Sequence, residues 1–369
     1  MFTAVATAAL VLSAAALFTS CEELLFEPVP ENTPQNIFDQ VWTFADQEYS
    51  FFDFKEVDWG DARATYEPRL PETLATQQDQ EALFDVLADM LFELKDGHVN
   101  LVSDFDRSRN WQWFLQPEPN YDFRVLQRYY FTTGGTDVIG DRSIEQYVGD
   151  AFILMDFEDP AGNVGYIHYR SFGSPVRAED LDYVIDRSSG DDYKGLIIDV
   201  RNNGGGSISN VYAIGNRLVT EKTKVLEEKM KTGPGREDFS DFRPIYFEPP
   251  EESPTYTEKP VVVLTNASGY SATNYFAAAV KGLDNVTTMG DRTGGGGGLP
   301  AYTELTNGWE LRVSTTRLYT LDPDDTQTLR ERNVEDGVEP EVEASSPEGD
   351  LATGTDGILE AALARLRNP

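Results

Sequence analysis

Residues 261–280, Val-Val-Val-Leu-Thr-Asn-Ala-Ser-Gly-Tyr-Ser-Ala-Thr-Asn-Tyr-Phe-Ala-Ala-Ala-Val, constrain this chain's architecture more than any other stretch. The apolar run Val261–Leu264 reads as a buried strand, and a short polar turn breaks it. From Ala272 onward, small and apolar residues recur at helical spacing. A strand that feeds a helix through so short a turn belongs to a sheet covered by helices. The pattern has an upstream copy: a strand at Gly195–Arg201, three glycines at 204–206, and a helix over Ser207–Thr220. Strands at Val164–Phe172, Val286–Met289, Trp309–Thr315 and Gly337–Val342, with a helix at Ala178–Arg187, extend the alternation. The expected fold class is α/β, with a mostly parallel sheet.

Ser271 falls at the start of the second of these helices. Unpaired backbone N–H groups and the positive end of the helix dipole stabilise negative charge there. A serine so placed is either a helix N-cap or a nucleophile, and the local sequence allows both. Gly269-Tyr-Ser-Ala-Thr273 does not match the Gly-x-Ser-x-Gly nucleophile elbow, since Thr273 replaces the final glycine.

Upstream of the α/β region the pattern is helical. Ile37, Phe38, Val41, Phe44 and Ala45 share one helix face, and Trp59–Tyr66 suggests a second helix. Gln80–Lys95 is the clearest, with Leu83, Phe84, Leu87, Met90 and Leu91 on one stripe and Gly97 as the expected C-cap. The expected organisation is a signal at 1–20, a tether at 21–34 and an N-terminal helical subdomain at 35–102. An irregular aromatic-rich connection at 103–160, an α/β domain at 161–345 and a C-terminal extension with a helix at 346–369 complete it.

Met1–Ser20 is apolar or small and carries no charge, and it ends directly before Cys21, the single cysteine of the chain. That reads as a bacterial lipoprotein signal, with Cys21 as the lipidated residue and the cell envelope as destination. One cysteine excludes an intrachain disulfide. The 30 Lys and Arg against 64 Asp and Glu leave a net charge of −34. Nucleic acid and anionic membrane surfaces would be repelled by such a chain. The membrane partnership expected is through the N-terminal lipid.

A nucleophilic serine requires a base, and the chain offers two histidines. His98 follows a helix C-terminus in Leu-Lys-Asp-Gly-His-Val-Asn, where the negative dipole end favours an imidazolium. His168 lies within a strand, and the expectation for it is a buried hydrogen-bonding side chain. Asp199-Val-Arg-Asn-Asn-Gly-Gly-Gly-Ser207 is a strand ending in glycines before a helix, which can aim backbone N–H groups at an anion. A tight turn with close helix packing would use the same residues. Gly294–Gly298 reads as a flexible loop. No cluster of His, Cys and carboxylates suggests a metal, and no cofactor is expected.

These motifs resemble the peptidase family of tricorn and C-terminal processing proteases. The resemblance rests on Leu-Lys-Asp-Gly-His98, Gly195-Leu-Ile-Ile-Asp-Val-Arg-Asn-Asn-Gly-Gly-Gly206, the segment from Val261 to Ala272, Met-Gly-Asp-Arg-Thr-Gly-Gly-Gly297, and Asp-Gly-Val-Glu-Pro-Glu341. It spans residues 35 to 345 in the family's order. It implies a crotonase- or ClpP-like ββα core and serine hydrolysis of a peptide or protein substrate. The Ser–Lys branch places its lysine about two dozen residues past the serine, where this chain has the glycine run. Lys281, ten residues along the helix from Ser271, would lie on the order of 15 Å away. The tricorn-like branch uses a histidine at the position of His98, which this chain resembles. Ala272 and Gly204 or Gly205 are then the expected oxyanion donors. Glu335 is the candidate orienter of the histidine, with Asp336 and Glu331 as rivals. Gly97 and Asn274 depart from the family pattern, which has a serine and a glutamate there. Too few residues separate His98 from Val164 to hold a PDZ domain. A non-catalytic binding module on the same fold, as in the related interphotoreceptor retinoid-binding protein, and a small-substrate esterase or amidase are the alternatives.

Overall fold

The computed structural model describes residues 31–108, 121–132, 143–144 and 146–367. Cys21, the signal segment, most of the tether and the aromatic residues Trp111, Trp113 and Phe114 lie outside the described residues.

Helix α1 (Pro34–Glu48) starts where the Thr33 hydroxyl accepts from the Asn36 N–H and a proline opens the first turn. Two short helices follow, α2 (Phe52–Lys55) and α3 (Trp59–Tyr66). Helix α4 (Gln77–Phe92) is set by a capping box between Thr76 and Asp79. It ends five residues before Gly97. The next amides bond three residues back in a tightening turn, and Lys95, at φ 48°, takes the left-handed position expected of the glycine. Strand β1 (Asn100–Val102) then begins two residues after His98.

The central sheet is seven-stranded. Its strands are β2 (Gln146–Val148), β3 (Phe152–Phe157), β4 (Asn163–Tyr169), β5 (Tyr193–Asp199), β8 (Val261–Thr265), β9 (Val286–Gly290) and β13 (Val342–Glu343). They lie in the order β13-β9-β8-β5-β4-β3-β2. The run from β13 to β4 is parallel, and β3 and β2 add antiparallel at one edge. Helices α5 (Ala178–Ser188), α6 (Ile208–Gly215) and α7 (Ala272–Val280) follow β4, β5 and β8 in the chain. A second antiparallel sheet is made by β6 (Thr223–Met230), β7 (Arg243–Phe247) and β12 (Thr316–Thr320).

Alternation explains the double burial of the parallel strands. Val261, Val263, Leu196 and Ile198 face the core beneath α5, α6 and α7. Val262, Leu264 and Ile197 face the opposite core, covered by helix α8 (Gly357–Arg367) through Ile358, Leu359, Ala362, Leu363 and Leu366. The C-terminal extension is therefore a wall of that second core. The region expected to be an irregular connection likewise supplies β2 and β3. All six residues of β3 are buried, so its sequence carries no polar alternation to reveal it.

A third core joins α1 to α4 and β1 to a distant hairpin, β10 (Pro300–Glu304) and β11 (Glu310–Ser314). Strand β1 pairs with β11, and Leu305, Trp309, Leu311 and Val313 pack among the N-terminal helices. The helical subdomain therefore borrows part of its interior from the other end of the chain. Gly337–Val342, expected as a strand, is irregular up to Glu341, and the two-residue β13 begins only at Val342. Among the described residues, no helix is long and apolar enough to cross a membrane.

Candidate active site

Strands β5 and β8 are parallel neighbours, so the segments following them emerge side by side at one sheet edge. Ser271 follows β8 and immediately precedes α7. Its backbone sits at φ 57°, ψ −117°, a region that costs a non-glycine residue roughly 1–3 kcal/mol. Its hydroxyl makes no capping bond to the helix. Instead, Oγ lies 2.8 Å from Nε2 of His98, 173 residues away in sequence. The N-cap alternative is thus vacated by geometry. The turn is held in place by the Ser271 N–H donating to the Gly295 carbonyl at 2.9 Å and the Tyr275 N–H donating to the Ser271 carbonyl at 2.8 Å.

His98 is buried, and burial pushes its imidazole down to about 4. Asp96 opposes that shift and Arg312 adds to it. The Arg312 Nε donates to the His98 carbonyl, tying the loop to β11. The other ring nitrogen, Nδ1, is buried and has no hydrogen-bond partner among the described residues.

Across from the serine lies the loop Asn202–Gly206. Gly205 has φ 96°, and a Cβ there would meet the Tyr270 carbonyl at 2.6 Å, Ser271 Cβ at 2.8 Å and Ala272 N at 2.9 Å. Glycine is required for this approach. The Gly205 N–H donates to Asn203 Oδ1. Among the described residues, neither the Gly204 nor the Ala272 N–H has an acceptor.

Glu335 sits elsewhere than the sequence suggested. Its buried carboxylate accepts the Gly297 N–H at 2.9 Å and pairs with Lys55 of α2 at 3.3 Å, and no bond joins it to His98. Burial and the nearby Asp96 push its carboxyl well above the usual range, against the pull of Lys55. The rivals are also engaged, Asp336 with Lys55 and Glu331 in the capping box with Thr328. Gly294–Gly298 is no flexible loop. Gly295 to Gly298 are buried, and the run is wedged between the Ser271 turn and residues 334–337, with the Gly294 N–H on the Gly269 carbonyl and the Gly296 N–H on that of Glu335. Glu335 therefore braces the backbone that receives the Ser271 N–H.

A buried ion cluster anchors the glycine loop from behind. Arg201 is fully enclosed, pairs with Asp199 and Asp356, and carries Tyr121 against its guanidinium at 4.4 Å. Asn274 donates to the Val334 carbonyl and accepts from Thr293, fixing α7 to the C-terminal segment. Lys281 donates to the Glu339 carbonyl at the far end of α7. His168 is buried on β4, stacked on Phe123. Among the described residues, no group of three or more His, Cys, Asp or Glu side chains could hold a metal. Sequence reasoning passed over Asp96, Lys55, Arg201 and Asp356. Only Asp96 and Arg201 carried a local signal, each lying inside a motif already singled out.

Residues 163–344 match a family model described as Peptidase family S41, and residues 30–92 match one described as Tricorn protease C1 domain. A crystal structure of a candidate peptidase from Parabacteroides merdae is 36% identical, covers 91% of this chain and 97% of its own, and superposes with a TM-score of 0.77. Mature CPAF, at 14% identity, covers 91% of this chain and 98% of its own with a TM-score of 0.61, a likeness of fold alone. The carboxy-terminal processing protease CtpA of Bacillus subtilis is 26% identical over 186 residues, 50% of this chain and 36% of that protein. CtpB of the same organism is 27% identical over 155 residues, 41% of this chain and 29% of that protein. The chain thus spans about a third of the length of these curated relatives.

Proposed function

Because the chain belongs to peptidase family S41, we propose that it is a serine endopeptidase working through Ser271 and His98. Ser271 Oγ attacks the peptide carbonyl while His98 Nε2 takes its proton. The tetrahedral oxyanion is held by the Gly204 and Ala272 N–H groups. His98 then gives the proton to the leaving amine, and water, deprotonated by the same imidazole, releases the acyl group from Ser271. Glu335 acts on the nucleophile turn through Gly297, without contact to the base.

The observation that carries this reading is the 2.8 Å contact between Ser271 Oγ and His98 Nε2, made by a serine whose backbone is strained and whose hydroxyl caps nothing. One observation favours the non-catalytic binding module instead: the partnerless Nδ1 of His98. Labelling by a fluorophosphonate probe decides between them. The wild type is expected to label, and Ser271→Ala and His98→Ala to lose at least about 100-fold in labelling rate. An unlabelled wild type would overturn the peptidase reading.

Cys21 is the proposed lipid attachment, and the cell envelope the proposed location. Metabolic incorporation of an alkynyl fatty acid is expected in the full chain and absent from Cys21→Ser. Equal incorporation in both would refute the anchor.

A further inference from the structure

A general base must hold its remaining proton on the correct nitrogen. For Nε2 to receive the serine proton, the neutral imidazole must carry its hydrogen on Nδ1. In a hydrolase triad that N–H is usually fixed by a carboxylate acceptor. Here it has none among the described residues, and Glu335, the residue expected to provide one, is turned toward Lys55 and Gly297. An unpartnered buried donor costs about 1–3 kcal/mol, so something must favour this tautomer over the reverse.

Asp96 is positioned to do so. It is buried, two residues before His98, and its Oδ1 accepts the His98 backbone N–H at 2.7 Å. The same oxygen accepts the Tyr270 hydroxyl at 3.3 Å, and Oδ2 accepts the Ser314 hydroxyl at 2.8 Å. The carboxylate thus joins the base loop, the residue beside the nucleophile and strand β11. Among the described residues, four groups face the His98 ring. Asp96 is the anion, Arg312 the opposing cation, Tyr270 lies against the ring at 5.1 Å, and Ser271 holds Nε2. Around Asp96 stand Tyr49, Tyr270, Lys55 and Glu335.

We propose that Asp96 is the positioning residue of the base: its negative charge selects the Nδ1–H tautomer of His98 and stabilises the imidazolium formed during attack, without touching the ring nitrogen. The inference rests on the Ser271–His98 reading. Asp96→Asn keeps the shape and an acceptor oxygen but removes the charge.

The chain's two histidines make the test direct, since His168 faces Asp199 and serves as an internal control. Imidazole 15N spectra at neutral pH are expected to show Nδ1–H at His98 in the wild type. Asp96→Asn is expected to raise the Nε2–H population at His98, leave His168 unchanged, and label with the fluorophosphonate probe at least about tenfold more slowly. Slower labelling with unchanged His98 nitrogens would reduce Asp96 to a structural brace and overturn the proposal. Wild-type labelling in Asp96→Asn would overturn it as well. An unlabelled wild type would instead count against the underlying reading. If Asp96→Asn loses the dispersed His168 signal and is unfolded, Ser314→Ala takes its place. Stripped of its Oδ2 donor, the carboxylate pulls harder on the imidazole, and the His98 Nδ1 proton moves downfield. A stationary proton would refute the proposal.

Discussion

At the scale of single residues, the two imidazoles set a pH dependence whose sign is fixed. Burial pushes both down to about 4, with Asp96 and Asp199 as partial counterweights. The unfolded chain binds their protons below about 6.5. Between about 6.5 and 4 the unfolded state therefore holds more protons. The stability contributed by the neutral histidines is complete above that window and is lost as pH falls through it. Each contributes a slope of up to about 1.4 kcal/mol per pH unit. Urea midpoints at pH 7, 5.5 and 4.5 are expected to fall steadily in the wild type and less steeply in His168→Gln. Parallel declines in the two proteins would contradict this account. The pairing of Ser271 with His98 was legible because a nucleophile needs a base and the chain has few. The part of Asp96 was not, since nothing in local spacing tells that its carboxylate meets Ser314, 218 residues away. The strained serine backbone was hidden for a related reason. Thr273 breaks the sequence signature, while Gly205 and Gly295, far off in the chain, permit the conformation.

At the scale of elements, the loop opposite Ser271 depends on helix α8. Arg201 leaves β5 and is enclosed between Asp199 and Asp356, the latter one residue before α8. Removing the cation strands two carboxylates in a dry core. Arg201→Met is expected to destabilise the protein by about 3–5 kcal/mol, read as a shift in urea midpoint, despite comparable apolar volume. A change under about 1 kcal/mol would show that the cluster adds little. Helix α8 was legible as a helix, but its load was not. Leu359, Leu363 and Leu366 mark an apolar face, and only the fold reveals that the face closes the sheet. The β6–β7–β12 sheet escaped notice for another cause: Thr223–Met230 carries Lys224, Glu227, Glu228 and Lys229, whose charges mask a half-buried strand.

At the scale of the molecule, charge is the dominant fact. A net −34 spread over one chain repels itself, and the repulsion is strongest in the folded state, where charges lie closest. The screening length shrinks from about 10 Å at 0.1 M salt to about 3 Å at 1 M. The melting temperature is expected to rise between 0.02 and 1 M NaCl, with most of the gain at the low end. Indifference to salt across that range would contradict a surface tuned by repulsion.

The hairpin β10–β11 that completes the N-terminal core also sets a timetable. His98 is made long before the strand that seats it: Arg312, whose guanidinium holds the His98 carbonyl, follows 214 residues later. At about 5–20 residues per second, the helices around the base wait on the order of 10–40 s for Leu311 and Val313 to reach them. A product of interrupted synthesis that stops short of β11 lacks the Arg312 bond that ties the His98 loop in place. The proposed pair is therefore seated as the structure shows it only once β11 has been made.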